Sequence, residues 1–265
     1  MTAADGRIHV GIGGWDYDPW RGTFYPAGLA KTKQLHFASR QVSAIEINAT
    51  YYKLQRPELF ERWAAEAPDG FLFAVKASRF CTNRRVLAEG REGIERFCGQ
   101  GFTRLGAKLG PILWQFMDTK TFDPDDIEAF FELLPREQDG IRLRHAVEVR
   151  HESFRDPRFV ALARAAGVAI CCDDSVSFPL IPDPTADFVY ARLMRAREEE
   201  EAGYAPAELD KWAAAAKSWA SGRSDGLEHI EPAAAPPARR EVFLFMINGA
   251  KVRAPAAAQA LIARL

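Results

Sequence analysis

Short runs of alternating apolar residues recur eight times along the chain, and most are separated by a segment with helical spacing. Strands that alternate with helices favour a parallel sheet with the helices packed against it. Eight such units without a break in composition predict an α/β protein built as a single (β/α)8 TIM barrel. The predicted strands cover residues 8–14, 44–52, 71–76, 110–116, 146–150, 168–173, 187–193 and 242–248.

The main alternative to a barrel is a doubly wound open sheet. We disfavour it because no Gly-x-Gly-x-x-Gly turn follows the first predicted strand. We expect one domain over residues 1–265. Residues 221–240 are polar and rich in Pro and Ala, which predicts a flexible loop within that domain.

Composition argues against several classes of protein. The chain carries 35 Lys and Arg residues against 36 Asp and Glu residues, a formal net charge of -1, which argues against a general polyanion binder. The first residues lack an apolar signal segment, and no apolar run is long enough to cross a membrane. We therefore expect a soluble, cytoplasmic protein without a membrane partner. The four cysteines match no zinc-binding spacing and are expected to be buried, reduced thiols.

The second predicted strand shows where a site would lie. Ile45 and Ile47 alternate with Glu46 and Asn48, so one face is apolar and the other is polar. In a (β/α)8 barrel the branched residues face the helices and the opposite parity faces the lumen, with the active site at the carboxyl ends of the strands. The same alternation in the other strands places a set of polar residues at that end: Glu46, Asn48, Lys76, Gln115, Glu148, Arg150, Asp173, Arg192 and Asn248.

The residues beneath this set on the same faces are small, such as Gly11, Ala44, Ala74, Ala146 and Cys171. A barrel centre needs apolar filling, and polar side chains there are costly unless they are paired. Polar residues gathered at one end therefore indicate either a site or a closed polar network.

The functional interpretation is an enzyme, a hydrolase, lyase or isomerase, that uses acid/base chemistry on a small polar, anionic or sugar-like substrate. Glu46 and Glu148 are the candidate acid and base, and Lys76 is the third candidate catalytic residue, as a charge stabiliser. The residues predicted to bind the substrate combine cationic, amide and loop side chains: Tyr17, Asn48, Arg79, Gln115, Arg150, His151, Asp173, Arg192 and Asn248.

Three alternatives remain open at this point. The charged residues could form an ion-pair network that only plugs the barrel. The chain could bind or process nucleic acid, as metal-dependent endonuclease barrels do, although this rests on fold analogy. It could also bind a ligand without turnover.

A divalent metal has weak support. Glu46, Glu148, His151 and Asp173 would be its ligands, yet His151 is the one histidine of five placed at the carboxyl end of a strand. We assign no metal ligand and leave the cofactor and the oligomeric state open.

Several motifs together resemble a known family. The chain resembles the YecE-like family, domain of unknown function 72, a set of TIM-barrel proteins. The resemblance implies the barrel fold but implies little about activity, because the function of the family is unassigned. The matching motifs run in family order over nearly the whole chain, at residues 11–17, 20–26, 45–52, 73–77, 110–115, 146–151, 187–192 and Asn248.

The chain departs from the family pattern at three positions. Asn83 follows Thr82 where the family has a Thr-His pair, and Met194 stands where an Arg-x-His-Gly motif after Arg192 would place the histidine. Phe154 replaces a common Trp. The two missing histidines remove two candidate acid/base or metal-binding groups.

Overall fold

A computed structural model describes residues 6–231 and 238–265. Eight parallel strands close into a barrel, in the order β1-β10-β9-β8-β7-β4-β3-β2, which confirms the predicted (β/α)8 TIM barrel. The barrel strands are β1 Ile8–Gly13, β2 Ala44–Ile47, β3 Leu72–Lys76, β4 Leu109–Gln115, β7 His145–Glu148, β8 Ala169–Asp174, β9 Phe188–Leu193 and β10 Glu241–Met246.

Helices surround the barrel. The first turn of each long helix is set by its sequence: Pro124, Pro157 and Pro206 each occupy the first helical position, where a missing N–H costs nothing. The helices are α1 Gln34–Ala38, α2 Ala49–Tyr52, α3 Pro57–Glu66, α4 Arg79–Thr82, α5 Arg91–Cys98, α6 Pro124–Leu133, α7 Pro157–Ala166, α8 Pro206–Ala220 and α9 Ala254–Ile262.

The second strand is shorter than its sequence pattern predicts. It ends at Ile47, and the expected strand residues 49–52 form the short helix α2 instead. The hydroxyl of Thr50 stabilises this turn, because Oγ1 is 3.2 Å from the carbonyl oxygen of Ile47 and 2.7 Å from that of Lys76. The chain therefore leaves the sheet one residue after the lumen-facing Glu46.

A two-stranded hairpin, β5 Glu137–Gln138 and β6 Ile141–Arg142, lies outside the barrel and was not predicted. Its turn is formed by Asp139 and Gly140, which have φ angles of 51° and 76°. Positive φ at both central positions suits a two-residue turn, and Asp-Gly is a common sequence for it. The signal was present in the sequence, but the strands are too short to show alternation.

Two apolar cores lie on the two sides of the sheet. Val10, Ile12, Ile45 and Ile47 pack outward against the helices, as the parity rule predicts. The lumen holds the small residues expected from the sequence. It also holds bulky residues that the sequence analysis did not place there, among them Leu113, Tyr190, Phe243 and Phe245.

Gly11 shows why the lumen can hold large aromatic rings. A Cβ atom at this position would lie 2.2 Å from the carbonyl oxygen of Ala44 and 3.0 Å from Cδ1 of Phe245. Both distances are too short, so any other residue would push β1 away from β2 or displace the ring. The small residues of β1 and β2 thus make room for the aromatic residues of β10.

The structure bears on three further expectations, those about the cysteines, the loop at residues 221–240 and membrane-spanning helices. All four cysteines are buried and free, as expected. The predicted flexible loop at residues 221–240 includes residues 232–237, which lie outside the described residues. Before that gap, both carboxylate oxygens of Asp183 accept backbone N–H groups, those of Ile230 and Glu231, at 2.9 Å. None of the helices in the described ranges has the length and apolar character needed to cross a bilayer.

Candidate active site

The polar residues predicted at the carboxyl ends of the strands meet inside the barrel. Each occupies the lumen-facing parity near the end of its strand, and all but Arg150 are buried. We call this set the polar ring: Glu46 from β2, Lys76 from β3, Gln115 from β4, Glu148 and the following Arg150 from β7, Asp173 from β8 and Arg192 from β9.

Arg192 occupies the centre of the polar ring and is 2% exposed. Its Nε and Nη2 donate to the two carboxylate oxygens of Glu46, at 3.1 Å and 3.0 Å. Its Nη1 donates to Oε2 of Glu148. The hydroxyl of Tyr190 adds a hydrogen bond of 2.7 Å to Oε2 of Glu46. One guanidinium thus joins two buried carboxylates that come from different sides of the barrel.

Glu148 is held in its ionised form. Burial would raise its pKa, but the charges of Arg192, Arg150 and Lys76 and the hydrogen bond from Gln115 outweigh burial and lower the pKa to about 2. Its Oε1 accepts from Nε of Arg150 at 2.6 Å and from Nε2 of Gln115 at 2.8 Å. At neutral pH Glu148 therefore carries no proton to donate.

Lys76 stands apart from this network although it lies in the same ring. Its Nζ is 4.3 Å from the ring centroid of Tyr51 and forms no ion pair or hydrogen bond with the residues that the structure describes, while its backbone carbonyl oxygen accepts from the hydroxyl of Thr50. Burial lowers its pKa to about 8, and the positive charge of Arg192 adds to this, against an opposite effect of Glu46 and Glu148. An amine with such a pKa can lose its proton close to neutral pH.

Asp173 is the second group that the network leaves incomplete. It is 1% exposed; Oδ1 accepts from the thiol of Cys171 at 3.2 Å, and Oδ2 has no hydrogen-bond partner. Burial raises its pKa well above the usual value, and the negative charge of Glu148 adds to this. The Asp173 carboxyl therefore holds its proton more strongly than an ordinary aspartate does, next to the ionised carboxylate of Glu148.

The charges of the polar ring do not balance. Three side chains of the ring carry a positive charge, those of Lys76, Arg150 and Arg192. Glu46 pairs with Arg192, and Glu148 pairs with both Arg192 and Arg150. A closed plug would pair its buried charges, because an unpaired buried charge is expensive. The free ammonium of Lys76 and the unpartnered oxygen of Asp173 favour a site that a negatively charged ligand completes.

The remaining predicted binding residues lie at the edge of the ring or outside it. Asn48 is half-buried at the edge, with Nδ2 3.3 Å from the carbonyl oxygen of Glu46. His151 turns away: its Nδ1 is 2.9 Å from Oγ of Ser153 and caps the next turn of the chain. Tyr17 packs edge-on against Trp20. A role of these residues in binding stays a prediction.

The expected position of Asn248 on the lumen face is wrong. β10 ends at Met246, and Asn248 is exposed in the following loop. The lumen-facing residues of this strand are Phe243 and Phe245, while Val242 and Met246 pack outward. Asn248 has the same parity as Val242 and Met246, which face outward. The prediction placed it in the lumen because it is polar, although the alternation along β10 places it on the outer face.

A metal ion fits the polar ring poorly. Ligand atoms of Glu148, Cys171 and Asp173 lie within 4.8 Å of one another, all buried. Of the four expected metal ligands, Glu148 and Asp173 belong to this group, and Glu46 and His151 do not. The charges of Arg192 and Arg150 beside Glu148 oppose a cation, and burial raises the pKa of the Cys171 thiol well above its usual value, which opposes the thiolate. We derive no step through a metal.

Sequence reasoning missed several residues that shape the site. Tyr190 has the same parity as Arg192 on β9, so the alternation contained the signal. Tyr51 was visible as part of a motif, but its contact with Lys76 depends on the unpredicted helix α2. Phe178, 4.4 Å from the guanidinium carbon of Arg150, lies in a proline-rich connection without periodicity. Met194, at the position of the expected family histidine, packs with the lumen residues.

Exposed aromatic residues lie beside the ring rather than in it. Tyr52 and Phe80 are each 66% exposed, and the guanidinium carbon of the exposed Arg79 is 5.5 Å from the Phe80 ring centroid. Tyr52 and Phe80 line a groove of about 640 Å³ on the flank of the barrel, together with Arg84 and Arg96. The predicted binding residue Arg79 thus lies on this flank.

Comparison with solved structures shows the same fold in other proteins. A DUF72 family protein from Thermotoga maritima MSB8 superposes with a TM-score of 0.73 at 24% identity, covering 97% of each chain. A DUF72 family protein from Enterococcus faecalis V583 has a TM-score of 0.67 at 17% identity, covering 97% of this chain and 95% of that one. A xylose isomerase-like TIM barrel/4-hydroxyphenylpyruvate dioxygenase fusion protein reaches 0.50 at 14% identity, over 95% of this chain and 41% of its own.

Sequence comparison finds relatives in Escherichia coli and Bacillus subtilis. The UPF0759 protein YecE of Escherichia coli strain K12 is 27% identical over 150 residues, 56% of this chain and 50% of that protein. The UPF0759 protein YunF of Bacillus subtilis strain 168 is 33% identical over 79 residues, 29% of this chain and 27% of its own. The chain spans about half the length of YecE in that match, and less of YunF. The family model described as "Protein of unknown function DUF72" matches residues 9–265, and the chain therefore belongs to this family.

Proposed function

We propose that this chain is an enzyme that binds a small anionic substrate at the polar ring and moves a proton on it. The observation that carries the proposal is the unpaired ammonium of Lys76 in a buried ring whose ionised carboxylates are already bound by arginines. A substrate carboxylate or phosphate supplies the missing negative charge, and charge-assisted hydrogen bonds of this kind are strong.

Glu46 and Glu148 have different roles in this proposal from the acid and base roles expected from the sequence. Glu46 accepts three hydrogen bonds and Glu148 also accepts three, so both act by holding Arg192 and Arg150 in place. Lys76 and Asp173 are the groups whose pKa values shift towards neutral pH from opposite sides. Two groups with such shifts are suited to act as base and acid.

The reaction class that this arrangement supports is proton abstraction next to a carbonyl, as in an isomerase or a lyase. Arg150 would bind the anionic group, and Gln115 and Asn48 would bind hydroxyl groups. The nucleic-acid alternative stays a prediction, and the feature that favours it is the flank groove with its exposed Tyr52 and Phe80, because nucleic-acid bases stack on aromatic side chains.

The first prediction tests proton transfer directly. The protein is incubated in D2O with dihydroxyacetone phosphate, ribose 5-phosphate or pyruvate, and loss of the proton next to the carbonyl is followed by NMR. We expect deuterium exchange with at least one probe, and a loss of about 100-fold or more in Lys76→Met and in Asp173→Asn. Lys53→Met, which changes an exposed lysine outside the ring, is the matched control and should exchange normally.

Two results would count against parts of this proposal. Saturable binding of a probe with no exchange would favour a ligand-binding protein without turnover. Equal exchange in Lys76→Met and in the unchanged protein would remove Lys76 from proton transfer.

A further inference from the structure

We propose that Lys76 acts as a nucleophile and forms an imine with the carbonyl carbon of an anionic aldehyde or ketone. This inference rests on the proposed function and names the substrate class of the same site. A lysine amine attacks a carbonyl only when it is free of ion pairs, reachable and able to lose its proton. Nζ of Lys76 forms no ion pair within the described residues, 8% of the residue's surface is exposed, and its pKa is lowered to about 8.

The contrast with Lys120 shows that Lys76 is not an ordinary buried lysine. Nζ of Lys120 is 2.5 Å from Oδ2 of Asp126 and 2.9 Å from the carbonyl oxygen of Arg85, so its ammonium has a carboxylate partner and a backbone partner. Lys76 is about equally buried, with 8% of its surface exposed, yet its Nζ forms no hydrogen bond or ion pair within the described part of the chain and lies 4.3 Å from the ring centroid of Tyr51.

The backbone of Lys76 is fixed by a hydrogen bond at the end of its strand. Lys76 is the last residue of β3, and its carbonyl oxygen accepts from the hydroxyl of Thr50 at 2.7 Å. Thr50 and Tyr51 both belong to α2, so one short helix fixes the end of the strand and covers one side of the ammonium. The strand end that carries the amine is thereby fixed and one side of the ammonium is covered, which favours a reaction from the remaining side.

Burial keeps part of the Lys76 amine neutral, and the charges of the ring modify this effect. Arg192 and Arg150 repel the ammonium, and Glu46 and Glu148, which attract it, are themselves bound to those arginines. With a pKa of about 8, about a tenth of the Lys76 amine is neutral at pH 7. An ordinary exposed lysine has a far smaller neutral fraction at the same pH.

The covalent step balances with the groups present. The lone pair of Nζ adds to the carbonyl carbon, and the electrons of the C=O bond move to oxygen, which takes up a proton as the nitrogen loses one. The hydroxyl then takes the proton of the Asp173 carboxylic acid and leaves as water, and the nitrogen lone pair completes the C=N bond. The iminium carries one positive charge in place of the ammonium, and the resulting Asp173 carboxylate is a base for the neighbouring C–H.

Reductive trapping tests the imine. The unchanged protein is treated with sodium cyanoborohydride and either glyceraldehyde 3-phosphate or pyruvate, and the product is analysed by intact mass and peptide mapping. We expect a mass increase equal to that of the probe minus one oxygen atom, located on Lys76. The adduct should be lost in Lys76→Met and retained in Lys53→Met.

The outcomes separate the imine from the proposed function. Deuterium exchange without an adduct on Lys76 would overturn the imine and leave Lys76 as a plain base. An adduct spread over surface lysines at the same level as Lys76 would also overturn it. Absence of both exchange and adduct would contradict both proposals. Because the map is read on the unchanged protein, the decision does not depend on whether Lys76→Met folds.

Discussion

Arg192 is the single residue on which the polar ring depends most. Its planar guanidinium has five N–H donors, and it uses three nitrogen atoms to bind Glu46 and Glu148 at once. A lysine could not bridge the two carboxylates in this way, since it has one nitrogen atom. The residue is therefore part of the fold as much as of the site.

Replacing Arg192 should strongly destabilise the protein. In Arg192→Met both glutamates lose their main partner in a buried place, and breaking a buried ion pair from one side costs about 3–5 kcal/mol. The free energy of unfolding from urea titration measures the loss. Arg21→Met is the matched control, because Arg21 pairs with Asp18 on the surface, and such pairs contribute about 1 kcal/mol or less. Equal effects of the two substitutions would contradict the bridging role.

The sequence allowed the members of the ring to be predicted but not their partners. Parity along a strand is local, so Glu46, Lys76, Glu148, Asp173 and Arg192 could all be placed in the lumen. Which carboxylate meets which cation depends on the stagger of strands far apart in the chain, and this is not visible in any one strand. For the same reason the free amine of Lys76 and the unpartnered oxygen of Asp173 became visible only in the structure.

At the scale of elements, short-range sequence signals mark both ends of helix α7. Asp156 caps it by accepting the N–H of Arg158 at 2.8 Å, Pro157 begins it, and Gly167 ends it with a φ of 67°. These signals act within a few residues and depend little on the rest of the fold. α2 has asparagine, a favourable capping residue, at Asn48, but the side chain forms no capping hydrogen bond. Because the helix is only four residues long, residues 49–52 were taken for a continuation of β2.

The cap of α7 can be tested by itself. Asp156→Ala should cost about 1 kcal/mol of stability, because one backbone N–H loses its acceptor. Asp156→Asn should restore most of it, since asparagine caps about as well as aspartate. Thermal unfolding followed by circular dichroism gives both values. If Asp156→Asn lost as much stability as Asp156→Ala, the exposed ion pair with Arg158, and not the cap, would be what stabilises the helix.

At the scale of the whole molecule, the lumen has a charged cluster at each end and aromatic residues between them. At the amino end, Glu241 accepts from His9 at 2.8 Å and also pairs with Arg144. Burial would raise the pKa of Glu241, but the hydrogen bond from His9 and the charge of Arg144 outweigh it and lower the pKa to about 2. Phe243, Phe245 and Tyr190 stack between this cluster and the polar ring.

These two clusters predict how stability depends on pH. Glu148 and Glu241 have a pKa of about 2 in the folded chain and 4.5 as the reference value. Between these values the unfolded chain binds more protons, so the stabilisation present above pH 4.5 is lost as the pH falls towards 2. Urea unfolding at a series of pH values should show this decline, and Glu241→Gln should reduce its slope. Glu132→Gln, on an exposed face of α6, should leave the slope unchanged.

The bridge made by Arg192 also constrains how the chain can be made. Glu46 and Arg192 are 146 positions apart, and β10, which closes the barrel beside β1, comes later still. During synthesis Glu46 therefore leaves the ribosome long before its counter-charge exists. Until then its carboxylate stays in water, because burying it alone would be too costly. We expect the first strands to stay only partly folded during synthesis. The barrel then closes in one late folding step, after the last quarter of the chain has been synthesised.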